Sequence, residues 1–124
     1  HPTMSTTLKA IKLARQRGTV IDGLIINKVH NRDFELSVDD IEETAEVPVM
    51  AVIPHDLNML RALSTFTPST DYKPNSNGSV ECKKLAATLI GEKYNPRRLR
   101  DIFGINTPKR YEINREIYYR RVFK

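Results

Sequence analysis

Three stretches decide the fold: Val20-Ile21-Asp22-Gly23-Leu24-Ile25-Ile26-Asn27-Lys28, then Ser37-Val38-Asp39-Asp40, then Val49-Met50-Ala51-Val52-Ile53-Pro54-His55-Asp56. The first and third are short, nearly continuous apolar runs rich in Val and Ile, as expected of strands covered on both faces. Between them Ser37 with Asp40 makes a capping-box pattern, and acidic residues in the first turn suit the positive end of the helix dipole. That helix is expected to end near Glu46. Pro48 falls at the start of the second run, where a missing N–H costs little, and Pro54 ends it. A helix between two such strands implies a right-handed crossover and parallel pairing. Polar residues follow both strands, at the carboxyl ends where open α/β sheets take their ligands.

Outward from this unit, Ser5, Thr6 and Thr7 can cap a helix running from about Thr6 to Arg17, with Leu8 and Ile11 at helical spacing and Gly18 as its stop. Val29 to Leu36 reads as a polar loop. Asp56 can cap a further helix carrying Leu57, Leu60 and Leu63, and Ser64 to Gly78 reads as irregular. Ser79 is expected to cap a last core helix, with Cys82, Leu85, Ala86 and Leu89 on the face that closes over the sheet. A short basic helix is expected around Leu99, Ile102 and Phe103. In Arg110 to Lys124 the odd positions Tyr111, Ile113, Ile117, Tyr119 and Phe123 are apolar, a period of two that favours an extended or strand-forming tail over a helix.

The fold expected is a three-layer α/β arrangement: a partial, doubly wound parallel sheet with flanking helices. With 124 residues the chain is one domain at most, and two buried strands need neighbours to cover their edges. The start at His1-Pro2, without an initiator methionine, is what a piece of something longer would show. Residues 1–92 hold 10 Lys/Arg against 12 Asp/Glu, and residues 93–124 hold 10 against 3, so the net charge of +5 belongs to the last stretch. A core unit over 1–92 and a basic tail over 93–124 is the expected organisation. The tail reads as a solvated extension, as a basic surface for anionic lipid or nucleic acid, or as a strand added to a partner sheet. A single cysteine, Cys82, excludes an intramolecular disulfide and a cysteine-clustered metal site, and a reducing, cytoplasmic setting is the expectation. No apolar run nears the ~20 residues needed to span a bilayer, so membrane attachment would be peripheral.

Asn27 is the sharpest candidate for chemistry. Its carboxamide sets a donor beside an acceptor, the pairing that matches the N6 and N7 edge of adenine. Asparagine is also a common first loop residue that satisfies local backbone groups. The histidines His1, His30 and His55 are scattered, and no His/Asp/Glu set has metal-ligand spacing. His30 reads as a solvated loop residue and Cys82 as a small buried apolar one.

Taken in order, these residues resemble the carboxyl-terminal half of the MinD/ParA-type P-loop ATPases. Ile25-Ile26-Asn27-Lys28 resembles the family's strand ending in an adenine-reading Asn followed by Arg or Lys. Val52-Ile53-Pro54-His55-Asp56 is similar to the strand and Pro-acidic-Asp turn whose backbone lines the adenine pocket, with His55 in place of the usual acid. His1-Pro2-Thr3-Met4-Ser5 resembles the family's Asn-Pro-Glu-x-Ser segment, with Thr3 for Glu. Tyr72-Lys73-Pro74-Asn75-Ser76 resembles its Tyr-Lys-Pro-acid-Ser loop. The resemblance implies half of a P-loop NTPase-like fold, ATP as the ligand, and a nucleotide site contributed by Asn27, Pro54, His55 and Asp56, with Asp56 mainly capping the next helix. Lone Cys82 disfavours the related iron-sulfur carriers, which bear a Cys-x-x-Cys pair in this half.

The sequence contains no G-x-x-x-x-G-K-[ST], no deviant Lys-Gly-Gly version of it, and no apolar strand ending in an Asp to hold Mg²⁺. Without a phosphate cradle these residues cannot hydrolyse ATP, and no catalytic or metal-binding residue is assigned. The phosphate loop and Mg²⁺ are expected from an amino-terminal half or a partner chain. A typical parent would be an ATP-dependent switch, a homodimer acting in division-site placement or partitioning. The alternatives are half of a dethiobiotin-synthetase-like or cobyrinate-synthase-like ligase, and a non-catalytic module binding through its basic tail.

Overall fold

The computed structural model describes residues 2–30, 35–96 and 107–124. In chain order the elements are α1 (Pro2–Gln16), β1 (Leu24–Val29), α2 (Val38–Ala45), β2 (Val49–Pro54), α3 (Leu57–Ser64), α4 (Ser69–Tyr72), α5 (Asn77–Leu89) and α6 (Arg110–Phe123). The strands β1 and β2 form a two-stranded parallel sheet joined through α2. One cluster of buried side chains, Ile11, Ala45 and Val47, gathers Met4, Leu8, Ile21 and Leu24 around α1 and α2. A second, Met50, Ala51 and Leu85 with Tyr118, joins β2 to α5 and α6. Helices therefore flank a parallel sheet, the α/β class expected from the sequence.

Local chemistry sets the boundaries. Ser37 caps α2 through a capping box: its hydroxyl accepts from Asp40 N–H at 3.1 Å while the Asp40 carboxylate takes the Ser37 N–H. Glu46 ends the helix in the left-handed conformation at φ 54°. The first helix begins at Pro2, earlier than the Ser5-to-Thr7 cap implied, since proline at the first helical position lacks only an N–H that would have no intrahelical partner.

The cap of α5 is Ser76, not Ser79. Ser76 Oγ accepts from Ser79 N–H, and the buried Ser79 hydroxyl donates to Ser69 C=O at 2.9 Å. With the first turn pinned this way, Val80, Leu85 and Thr88 turn inward while Ala86 and Leu89 are exposed and Cys82 is half-buried. The stretch 64–78 is not wholly irregular, since α4 lies within it. The expected basic helix around Leu99, Ile102 and Phe103 lies outside the described residues.

Arg110–Phe123 is helical rather than extended. Its inward residues Asn114, Arg115 and Tyr118 recur at helical spacing, but two of the three are polar, so a count of apolar positions alone gives the wrong period. Glu112 closes the first turn by accepting the Lys109 N–H at 3.0 Å, and Arg120 pairs with Glu116 one turn back. At its far end Phe123 packs on Gly91, which sits at φ 78°; a Cβ there would meet the ring at 2.7 Å.

This helix closes one edge of the sheet. Pro48 C=O accepts from Leu24 N–H, so the polar main-chain groups of Val49 point away from β1. Glu42 accepts the Val49 N–H at 2.8 Å, and Asn114 donates to Val49 C=O at 2.8 Å and to Glu42. Arg115 donates to Met50 C=O at 3.0 Å and to Glu81 at 3.1 Å. Asn114 and Arg115 are only 5% and 6% exposed, and their bonds satisfy strand groups that a neighbouring strand would otherwise take.

Candidate functional site

The two strands are out of step twice, and the two irregularities cancel. Leu24 pairs with Val49 and Ile25 with Ala51, so Met50 is an extra residue on β2. Ile26 then pairs with Val52 and Val29 with Pro54, so β1 carries one extra residue at Asn27-Lys28. Lys28 takes a left-handed backbone at φ 57° there. Both Asn27 and Lys28 face solvent, whereas Val29 turns back inward.

The carboxyl ends of β1 and β2 therefore lie side by side. His55 N–H donates to Val29 C=O at 2.9 Å, tying the turn after β2 to the last residue of β1. The His30 and His55 rings stack with centroids 4.5 Å apart and planes at 25°. His30 N–H is held by Glu35 Oε1 at 3.0 Å. An open hollow of about 810 Å³ runs along β1, and Asn27, Lys28, Val29 and Pro54 line it, with Thr3 of α1 and Ser37 before α2.

Each residue proposed from the sequence has a definite place. Asn27 and Pro54 line the hollow. Asn27 Oδ1 accepts from Lys28 N–H at 2.9 Å, which fixes the oxygen on the backbone side and leaves it a second lone pair. His55 is engaged in the ring stack instead. Asp56 caps α3, accepting from Asn58 N–H at 2.9 Å, and its other oxygen accepts from Gly78 N–H at 3.2 Å, joining the first turns of α3 and α5. A side chain at Gly78 would press on that oxygen. Burial alone would raise the Asp56 pKa, but hydrogen bonds from Asn58, Ser76 and Gly78 outweigh it and hold the carboxyl below the usual range.

The pairing of His30 with His55 and the bulge at Lys28 were missed from sequence. Neither residue type signals such a contact, and a bulge shows only as two successive outward positions in an otherwise alternating strand. Among the described residues no group of three His, Cys, Asp or Glu could hold a metal ion. The donor set suits the base of a nucleotide, through one carboxamide and a proline wall. Its phosphates and Mg²⁺ find no cradle in these residues.

An α/β unit with a parallel strand pair and its polar groups gathered at both carboxyl ends belongs to the class that binds ligands at that end of the sheet. No family model matches the chain. Two uncharacterized ATP-binding proteins of Methanocaldococcus jannaschii resemble it: one is 39% identical over 92 residues, covering 74% of this chain and 35% of the relative. The other is 32% identical over 94 residues, covering 73% and 35%. Among solved structures, the septum site-determining protein MinD of Pyrococcus horikoshii, complexed with Mg-ADP, matches with a TM-score of 0.65 at 27% identity, over 69% of this chain and 35% of that one. The cell division ATPase MinD of Pyrococcus furiosus matches at 0.63 and 30% identity, over 67% and 35%.

In sequence and fold the chain is similar to a part of the MinD-type ATPases, and its own residues contain no Walker A segment. It spans 35% of the length of the relatives it matches.

Proposed function

We propose that this chain forms the adenine side of a MinD-type ATP site. In this reading Asn27 pairs with the purine edge, Pro54 and the backbone of His55 wall the pocket, and Asp56 holds the turn in place by capping α3. The γ-phosphate and Mg²⁺ are handled by residues outside these 124, in the same polypeptide or in a partner subunit. The complete protein is then an ATP-dependent switch, acting as a homodimer in the placement or partitioning of cellular structures.

One observation carries the reading: the ends of β1 and β2 are tied together by the His55 N–H to Val29 C=O bond, and the Asn27 carboxamide and Pro54 line the same hollow. Strand ends far apart could not grip one base. The charge of α6 favours this reading over a module that binds through its basic tail, because Arg115 is buried on Met50 and Glu81 and Arg110 is paired with Glu42.

The test is nucleotide competition in the full natural polypeptide, measured by calorimetry for ATP and GTP. A preference for ATP that Asn27→Ala reduces by about tenfold is expected, since a bidentate amide contact is worth roughly 1–3 kcal/mol of base discrimination. Equal affinity for both nucleotides in the unaltered protein, or no binding of either, defeats the reading.

A further inference from the structure

We propose that Lys28 is a positioning residue for Asn27, its left-handed backbone sustaining the one-residue bulge that presents the carboxamide to a purine. The inference rests on the adenine reading above and adds to it the element that aims the base-reading group.

Alternation along β1 places Leu24 and Ile26 partly inside and Ile25 and Asn27 outside. A regular strand would then turn residue 28 inward and Val29 outward. Instead Asn27 and Lys28 both face out and Val29 returns inward, pairing with Pro54 and accepting the His55 N–H. Only an extra residue reconciles an outward Asn27 with an inward Val29, and Lys28 supplies it by adopting φ 57°. That conformation is uncommon for any residue with a Cβ and an outlier for a β-branched one. The lysine, unbranched at Cβ, tolerates it.

The same residue fixes the orientation of the carboxamide. Its N–H donates to Asn27 Oδ1 at 2.9 Å, so oxygen and nitrogen are not interchangeable. The remaining oxygen lone pair is left for the exocyclic N6–H of adenine and the NH₂ for N7, whereas guanine presents an acceptor in place of the N6 donor. Because Val29 is anchored on both its partners, a Lys28 that cannot hold the left-handed conformation displaces Asn27 rather than Val29.

The experiment compares Lys28→Gly, Lys28→Val and Asn27→Ala in the full natural polypeptide, with dissociation constants for ATP and GTP and a thermal melt for each. Glycine accepts positive φ freely, so Lys28→Gly keeps the ATP-over-GTP ratio within about twofold despite losing the charged side chain. Lys28→Val resists positive φ and lowers the ratio by about tenfold, approaching Asn27→Ala. Should the valine variant fail to fold, Lys28→Thr, also β-branched, lowers the ratio in the same sense. A β-branched variant that keeps the full ratio, or weakens both nucleotides equally as a merely structural defect would, overturns the positioning role while a selective loss in Asn27→Ala leaves the base reading standing. Retention of the ratio in Asn27→Ala removes both.

Discussion

β1 and β2 pair along one edge and have otherwise opposite surroundings. In β2, Val49, Met50, Ala51 and Ile53 are buried, α5 and α6 pack against it, β1 pairs along one edge, and Glu42, Asn114 and Arg115 bond the main chain of Val49 and Met50. In β1, Ile25 is 54% exposed, and β2 is the only strand partner of β1 among the described residues. A helix with polar inward side chains can stand in for a neighbouring strand. The matched residues make up only 35% of each relative, so most of the relatives' length lies outside the part this chain resembles. The candidate site lies where the buried strand meets the more exposed one.

The sharpest test of that contrast is Arg115→Ala. Removing the guanidinium leaves Met50 C=O and the Glu81 carboxylate without their partner in a nearly buried setting, and a loss of about 3–5 kcal/mol by denaturant unfolding is expected. A loss below about 1 kcal/mol would mean that α6 does not secure the β2 edge.

Paired truncations measure the same difference on the two strands. Met50→Ala, at a position 3% exposed, is expected to cost about 2–5 kcal/mol, whereas Ile25→Ala should cost below about 1 kcal/mol. Equal costs would show that the strands are equally enclosed in solution.

Acid should weaken the fold through two carboxylates, Glu42 on the Val49 N–H of β2 and Asp56 at the cap of α3. Burial alone would raise the Glu42 pKa, but the bonds from Val49 N–H, Arg110 and Asn114 outweigh it, so its folded pKa is lowered, as is that of Asp56. A lowered folded pKa means these groups stabilise the fold above the ordinary carboxylate range, and the contribution is lost as pH falls through and below that range. Stability measured from pH 7 to pH 3 should fall, and the fall should be shallower in Glu42→Gln and Asp56→Asn. An unchanged slope in both variants would remove the two carboxylates from the account.

The smallest effect is a gain. Phe66 is 96% exposed and held at φ 53°, a left-handed conformation that bulky residues rarely adopt. Phe66→Gly should raise stability by about 1 kcal/mol, because strain is relieved and no buried contact is lost. A decrease would show that the ring packs in solution.

Much of this was legible in the sequence. Ile25 to Lys28, the Ser37 capping box and Val49 to Pro54 specify a parallel unit through periods and caps that depend on neighbouring residues alone. The adjacency of Asn27 and Pro54 followed from that topology. The nature of Arg110 to Lys124 did not, because Asn114 and Arg115 are buried by long-range bonds to Val49, Met50 and Glu81, and the apolar pattern is silent about such partners. The Lys28 bulge was hidden for a related reason: it compensates the extra residue at Met50, and a register is a property of two strands together.

The most direct measurement is photo-crosslinking of the full natural polypeptide with 8-azido-ATP, followed by mass spectrometric mapping of the labelled peptides. The account predicts label on peptides containing residues 26–30 and 53–57, suppressed by excess ATP and far less by excess GTP. Competable label on α6 or α3, with neither strand end modified, would contradict it.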